Sequence, residues 1–484
     1  MAAALTLLLA LLLPVLIGLA AVALFAGRQG RCRRADFWTL AWAAPGLGMG
    51  FSSVLFFLWS LVFYPRFAPG LYIGLEVLVL LGLSAAASAS AAVRLPVELA
   101  QPGLIETLKQ AARKRIFTAL LALAFAASAA FFAYRFLAFT AQNPLGGWDA
   151  WAIWNYKARF LLEGDPVTWK RVFAPQATHP DYPFLLSGFI ARCWVLIGKD
   201  RAAVPALTAA LFSFSTVGLL TAAVTRLRGL NLGLLAGTLL MSLPVFTWTA
   251  ASQYADLPLA FYFLAALVCI LLYFNENRRS LYLPAAGIAA GFALWTKNEG
   301  TSFALAAGIT LAAVLFAAPG KWKPLPFYES KSARIRPLLL FAAGLLPALL
   351  LYAAFKGWMV PPTDLFNRRE PADYLLLAGD PNRWRLIAQA VWDQFLHWGG
   401  WRIPFLPALG VFLLAAGPRL PRESRAGVLA AGGILALTYA QYMAIYLITP
   451  HDLAWHMQTS IGRLYNQLLP GALLVLMCLI RKED

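Results

Sequence analysis

Apolar runs of roughly bilayer-crossing length recur from one end of the 484-residue chain to the other, and no other feature constrains the fold as much. Set against Pro, Gly and charge punctuation, they fall near 1–26, 37–63, 71–93, 116–138, 202–225, 231–250, 257–274, 281–296, 301–318, 337–356, 397–417, 426–448 and 465–480. With 61% hydrophobic and 13% charged residues, a soluble fold would expose apolar surface it could not hide. The pattern predicts an all-α polytopic transmembrane bundle of about 13 spans. The first run has no basic segment ahead of it and is long for a signal-peptide core, so it is expected to be a retained span.

Lys and Arg number 40 against 22 Asp and Glu. In a soluble protein this balance would raise the question of nucleic acid; here it marks loops, and no nucleic-acid partner is expected. One further run, Phe184 to Gly198, is short for a span and contains Arg192. If it does not cross, the basic clusters at Arg28–Arg34, Arg94–Arg115, Arg226–Arg228, Arg278–Arg279, Lys321–Arg336, Arg419–Arg425 and Arg481–Lys482 share one side. The positive-inside rule makes that side cytoplasmic, with the N-terminus outside and the C-terminus inside. Phe184 to Gly198 is therefore expected to lie on the outer surface as an interfacial helix, with Arg192 and Lys199 reaching lipid headgroups.

This topology divides the chain into a three-span N-terminal extension (1–115), a module with a large outer loop at 139–201 (116–320), and C-terminal spans with outer loops at 357–396 and 449–464 (321–484). Cys32, Cys193, Cys269 and Cys478 lie far apart, without metal-ligand spacing. The G-x-x-x-G pairs Gly233/Gly237 and Gly287/Gly291 sit inside apolar runs and point to helix packing rather than to a nucleotide loop.

Most of the unusual polar residues collect in the outer loops. After Gly146-Gly147 come Trp148, Asp149, Trp151, Trp154, Asn155 and Lys157, with Trp151, Trp154, Ala158 and Leu161 at helical spacing. The segment is expected to lie along the membrane surface with its rings at headgroup level. Asp149 stands where a helix would begin and so could be a cap. A carboxylate among indoles at a lipid boundary is also partly desolvated, which favours proton acceptance. Further along, His179-Pro180-Asp181-Tyr182-Pro183 is held extended by its prolines. Asp256 opens the span after Gln253 and is explained locally as a cap. Lys297, Asn298 and Glu299 fill a turn between two spans, where polar groups pair with each other or face a wet cavity. The last outer loop carries His451 and His456, followed by Arg463, whose planar fork suits a phosphate. Asp380-Pro381 announces a helix in the 357–396 loop.

Aromatic faces and carboxylates suit sugars, and cations at membrane depth suit a lipid-linked phosphate. Transfer of a glycosyl group from a polyprenyl-phosphate sugar needs one base for the acceptor hydroxyl and cations for a leaving group that is already a stable anion. On this logic Asp149 is the base, and Lys297 and Arg463 neutralise the phosphate. Trp148, Trp151, Asn155, Lys157, His179, Asp181, Tyr182, Asn298, Glu299, His451 and His456 are the candidate substrate contacts. A transporter or flippase of a lipid-linked anion is the alternative. The one-sided gathering of polar residues and the lack of a clear repeat favour an enzyme.

Gly147-Trp148-Asp149, His179-Pro180-Asp181-Tyr182-Pro183, Asp256 and Thr296-Lys297-Asn298-Glu299-Gly300, in this order, resemble the GT-C superfamily of integral-membrane glycosyltransferases. The likeness is to the bacterial mannosyl- and aminoarabinosyl-transferase type and runs from about residue 116 onward. It implies a polyprenyl-phosphate-linked sugar as donor; a glycan, lipid or protein as acceptor; membrane lipids as surroundings; and a cell-membrane enzyme acting on the extracytoplasmic side. It also implies that Asp149 is the base and links Asp256 to metal or acceptor binding. Asp149 and Asp256 are thus the candidate ligands should a divalent cation, Mg or Mn, be used.

Overall fold

The computed structural model describes residues 2–29, 34–90, 116–163, 170, 172–174, 178–275, 280–316, 331–363, 365, 370–418 and 424–480. Among them the secondary structure is entirely helical: α1 (Ala2–Gln29), α2 (Arg34–Phe63), α3 (Pro69–Ala89), α4 (Ile116–Gln142), α5 (Asn155–Leu162), α6 (Leu185–Ile197), α7 (Ala203–Arg228), α8 (Leu230–Ser242) and α9 (Pro244–Ala251). There follow α10 (Asp256–Asn275), α11 (Tyr282–Thr296), α12 (Glu299–Phe316), α13 (Lys331–Ala354), α14 (Pro371–Gly379), α15 (Pro381–His397), α16 (Phe405–Ala416), α17 (Arg425–Ile448) and α18 (Leu453–Cys478). Two π-helical turns, Ala150–Trp154 and Phe355–Met359, precede α5 and extend α13.

Ten helical stretches among the described residues are long and apolar enough to cross a bilayer. The expected count of about 13 is not reached, for local reasons. The 231–250 run is broken between α8 and α9, which meet at 69°. Pro244 opens α9 and holds Leu243 extended, so the helix cannot run through. In the 397–417 run, Gly399 and Gly400 both take positive φ and delay the helix to Phe405. Helix α11 has 15 residues, about 22 Å of rise, less than a full crossing of about 30 Å.

The core is built around α10, whose side chains are buried from Asp256 to Val268 and again from Ile270 to Phe274. It packs against α7, α11, α17 and α18. Small residues allow close approach elsewhere: Gly287 on α11 faces the backbone of Phe341 on α13, and Gly291 faces Ala348. This is the packing role expected of that G-x-x-x-G pair.

Helix α6 departs from the sequence expectation. Rather than lying on the outer surface, it is buried from Leu185 to Val195, and Arg192 reaches no headgroup. Its guanidinium is paired with Glu76 of α3, with Nε 2.9 Å from Oε1, and it also donates to the Ala10 carbonyl of α1. The Tyr72 hydroxyl donates to the same carboxylate at 2.9 Å. Ser53 of α2 donates to the carbonyls of Phe184 and Leu185, so three N-terminal helices close over a helix that length alone made interfacial. A charge at this depth is tolerated only with such a partner. The aromatic stripe ahead of α6 is also turned inward: Trp154, Ala158 and Leu161 are buried, and of the four spaced residues only Trp151 is exposed.

The two ends of the bundle differ chemically. At one end Arg228 donates to the Cys478 carbonyl and Ser424 to Asn275, with Arg334, Arg336 and Arg425 at the starts of α13 and α17. The opposite ends of these helices carry the acidic and histidine-bearing loops.

Candidate active site

Asp149 emerges from a turn whose geometry glycine permits. Gly146 has φ of 80°, and the amide of Gly147 donates to the Ser252 carbonyl at 3.0 Å. The residue then enters the π-helical turn at Ala150, a local widening often found at functional sites. Its side chain makes no capping bond. It pairs instead with Nη1 of Arg463 on α18, 314 positions away. The Arg463 guanidinium lies 5.6 Å above the Tyr254 ring, and its Nε is buried without a partner.

A second ion cluster adjoins this pair. Lys297, in the extended turn that ends α11, is 3% exposed and lies 3.1 Å from Asp256 and 2.7 Å from Glu299. Burial alone would favour the neutral amine, but Asp256 and Glu299 outweigh it and hold Lys297 charged well above its ordinary range. Gln467, one turn beyond Arg463 on α18, donates to Asp256 at 2.5 Å and accepts from the Tyr442 hydroxyl. Arg463 and Gln467 lie ten and fourteen residues beyond Leu453, about 15 and 21 Å along α18. The site therefore lies about three to four turns into α18 rather than at its first residues.

The His179–Tyr182 turn forms the third wall. Asp181 accepts from Asn298 at 2.7 Å and from Lys356, at the end of α13, at 3.0 Å. Tyr182 stacks between Trp154 and the His179 ring, with Lys297 6.0 Å from its centre. Lys157 is 0% exposed and holds the turn from beneath, donating to the carbonyls of His179 at 2.6 Å and Tyr182 at 3.1 Å. Burial, the largest influence, lowers its pKa to about 7; Asp181 raises it and Lys356 lowers it.

Asp149 and Arg463 thus form one group and Asp181, Tyr182, Asp256, Lys297, Asn298 and Glu299 another, linked by Gln467 one turn beyond Arg463 and by Tyr254 beneath its guanidinium. Trp148 and Trp151 stand exposed and edge to face beside them. Asn155 and Lys157, expected as substrate contacts, are buried and direct their donors to backbone carbonyls. His451 and His456 lie further out: His456 Nδ1 is 2.9 Å from Thr449 Oγ1, and its ring faces Tyr446. Sequence reasoning missed Gln467, Lys356 and Tyr254. Gln467 follows Arg463 by four residues, the spacing that puts two polar side chains on one helix face, and that signal was available.

A cluster of paired carboxylates and cations in an apolar helical body, flanked by indoles, suits an anionic lipid-linked sugar. Residues 179–327 match the family model of dolichyl-phosphate-mannose-protein mannosyltransferases. This is a glycosyltransferase family of the GT-C superfamily, and the match bears out the likeness seen in the sequence. The matched stretch contains Asp181, Asp256 and Lys297; Asp149 and Arg463 lie outside it, paired with each other, and Gln467, one turn beyond Arg463, links them to Asp256. No curated protein and no solved structure matches the chain.

Proposed function

We propose that this membrane glycosyltransferase moves a sugar from a polyprenyl-phosphate carrier to an acceptor hydroxyl or amine on a glycan, lipid or protein, at the extracytoplasmic face of the cell membrane. The Asp149–Arg463 pair carries the proposal: it joins a loop carboxylate to a cation at membrane depth, beside the Lys297 cluster. Support for sidedness comes from the arginines at the far end of the bundle, which by the positive-inside rule favour a cytoplasmic position for that end and the C-terminus and an outer one for the N-terminus.

In the reaction the acceptor oxygen attacks the anomeric carbon, its proton passes to Asp149, and the bond from that carbon to the phosphate oxygen breaks with its electrons on the phosphate. The leaving group is a stable anion, so no general acid is required. The donor phosphate takes the part-exposed side of the Arg463 guanidinium, and as Asp149 gains the proton the guanidinium charge is released to the phosphate. Lys297 offsets Asp256 and Glu299, whose charge would otherwise repel the phosphate. Trp148 and Trp151 offer faces for the sugar or carrier.

A divalent cation fits this donor set poorly. Among the described residues no three His, Cys, Asp or Glu side chains gather as a metal group. Asp149 already holds Arg463, and Asp256 holds Lys297 and Gln467. Basic side chains supply the positive charge instead.

Reconstitution in liposomes with a panel of sugar donors tests the function. Transfer from polyprenyl-phosphate sugars and none from nucleotide sugars is expected; use of a nucleotide sugar alone would overturn the proposal.

A further inference from the structure

Gln253 takes part in none of the ion pairs, yet it lies between the two acidic clusters. It is buried, and its backbone is held at φ of 60°, a left-handed conformation unfavourable for a residue with a Cβ. Its side-chain amide donates to the Pro144 carbonyl at 3.2 Å, five residues before Asp149. Because a carbonyl only accepts, the amide nitrogen must face it.

Two further contacts tie the same two turns together, and one more braces the Asp149 turn against α5. The Gly147 amide donates to the Ser252 carbonyl at 3.0 Å, and Asn155 donates to the Leu145 carbonyl at 3.1 Å. A methyl group on Gly147 would stand 2.8 Å from the Tyr254 hydroxyl, so the two turns are in close contact. Tyr254 in turn lies under the Arg463 guanidinium, and two residues later Asp256 begins the Lys297 cluster. The segment 252–256 therefore touches both halves of the site.

We infer that Gln253 is a positioning residue, a strut that sets the Asp149 turn at a fixed distance from the Asp256–Lys297 cluster. The inference rests on Asp149 being the base. Its strained backbone and the unpartnered, buried Oε1 are consistent with selection for placement rather than for stability.

The test separates placement from folding. Gln253→Gly relieves the backbone strain and removes the amide. Gln253→Glu keeps the shape but sets a carboxylate oxygen against the Pro144 carbonyl. Both are compared with the parent and Asp149→Asn in liposomes for kcat and donor KM, for binding of a short-chain polyprenyl phosphate, and for thermal midpoint in detergent. Both variants should lose roughly 10- to 100-fold in kcat, with polyprenyl phosphate binding no weaker than the parent's, because an error of about 1 Å in a reacting group has that effect. The Gly variant should do so with an undiminished midpoint. Parental kcat in either variant, or a loss matched by weaker phosphate binding and a lowered midpoint in both, overturns the strut. Undiminished transfer by Asp149→Asn would instead remove the reading on which it rests.

Discussion

Asp149 and Arg463 are 314 positions apart in the chain, yet the carboxylate of one directly engages the guanidinium of the other. The group proposed to take a proton is therefore held, before substrate arrives, by the group proposed to take the phosphate. Carboxylate and phosphate compete for one cation. Replacing Asp149 by Asn removes the competitor, so the variant should bind a short-chain polyprenyl phosphate several-fold more tightly than the parent in titration calorimetry. Equal or weaker binding would show that Arg463 is not the shared partner.

The planar fork of Arg463 reaches Asp149 through Nη1 while Nε remains buried and unpartnered. A lysine at this position keeps the charge and loses the fork. Arg463→Lys should raise the donor KM with a smaller effect on kcat, and Arg463→Gln should lower both. Initial-rate kinetics over a range of donor concentrations would reveal an unaltered donor KM in Arg463→Lys, which this account does not allow.

Lys297 compensates Asp256 and Glu299 inside the protein. Removing the cation alone strands two carboxylates, and breaking such a buried pair costs about 3–5 kcal/mol. Lys297→Met should therefore lower the detergent thermal midpoint markedly, with part of the loss restored by adding Asp256→Asn. The same logic applies to Arg192→Met against Arg192→Met with Glu76→Leu, where both charges disappear together. Midpoints that fall further in the double variants would contradict the pairing.

Lys157 gives the site a pH signature. Its folded pKa, about 7, lies below the ordinary lysine value of 10.5, and burial is the main cause. Between these values the unfolded chain binds a proton that the folded protein does not, so this group makes folding stability rise with pH across the window. Its contribution is greatest above 10.5, falls as the pH drops toward 7, and is flat below. Chemical or thermal unfolding from pH 7 to 10 should show a slope of up to about 1.4 kcal/mol per pH unit from this one group, absent in Lys157→Met. An identical slope in the variant would reject the assignment.

Much of the architecture was legible because a bilayer-crossing helix needs a long apolar run, and the runs at 257–274 and 426–448 coincide closely with α10 and α17. What escaped depends on contacts distant in sequence. The 184–198 run suggested a surface helix because it is short and carries Arg192, whose partner, Glu76, lies 116 positions earlier in another span. Length alone also could not register the breaks at Pro244 and Gly399-Gly400 inside apolar runs. In the site, Asp149, Lys297 and Arg463 stood out because charges bordering apolar runs are expensive without a purpose. Gln467 and Lys356 fell at the edges of spans, where a neutral amide or a terminal lysine looks ordinary, and only the fold brings them to Asp256 and Asp181. The buried Asn155 and Lys157 could not be distinguished from substrate contacts, since a loop's inward face is set by what packs beneath it.

The most direct measurement compares initial rates of sugar transfer from a polyprenyl-phosphate donor, at saturating donor and acceptor, for the reconstituted parent and Asp149→Asn. Loss of the base should slow transfer by roughly 100- to 10,000-fold while the folded protein and its phosphate binding persist. A rate within a few-fold of the parent's would contradict the assignment of Asp149 and the mechanism built on it.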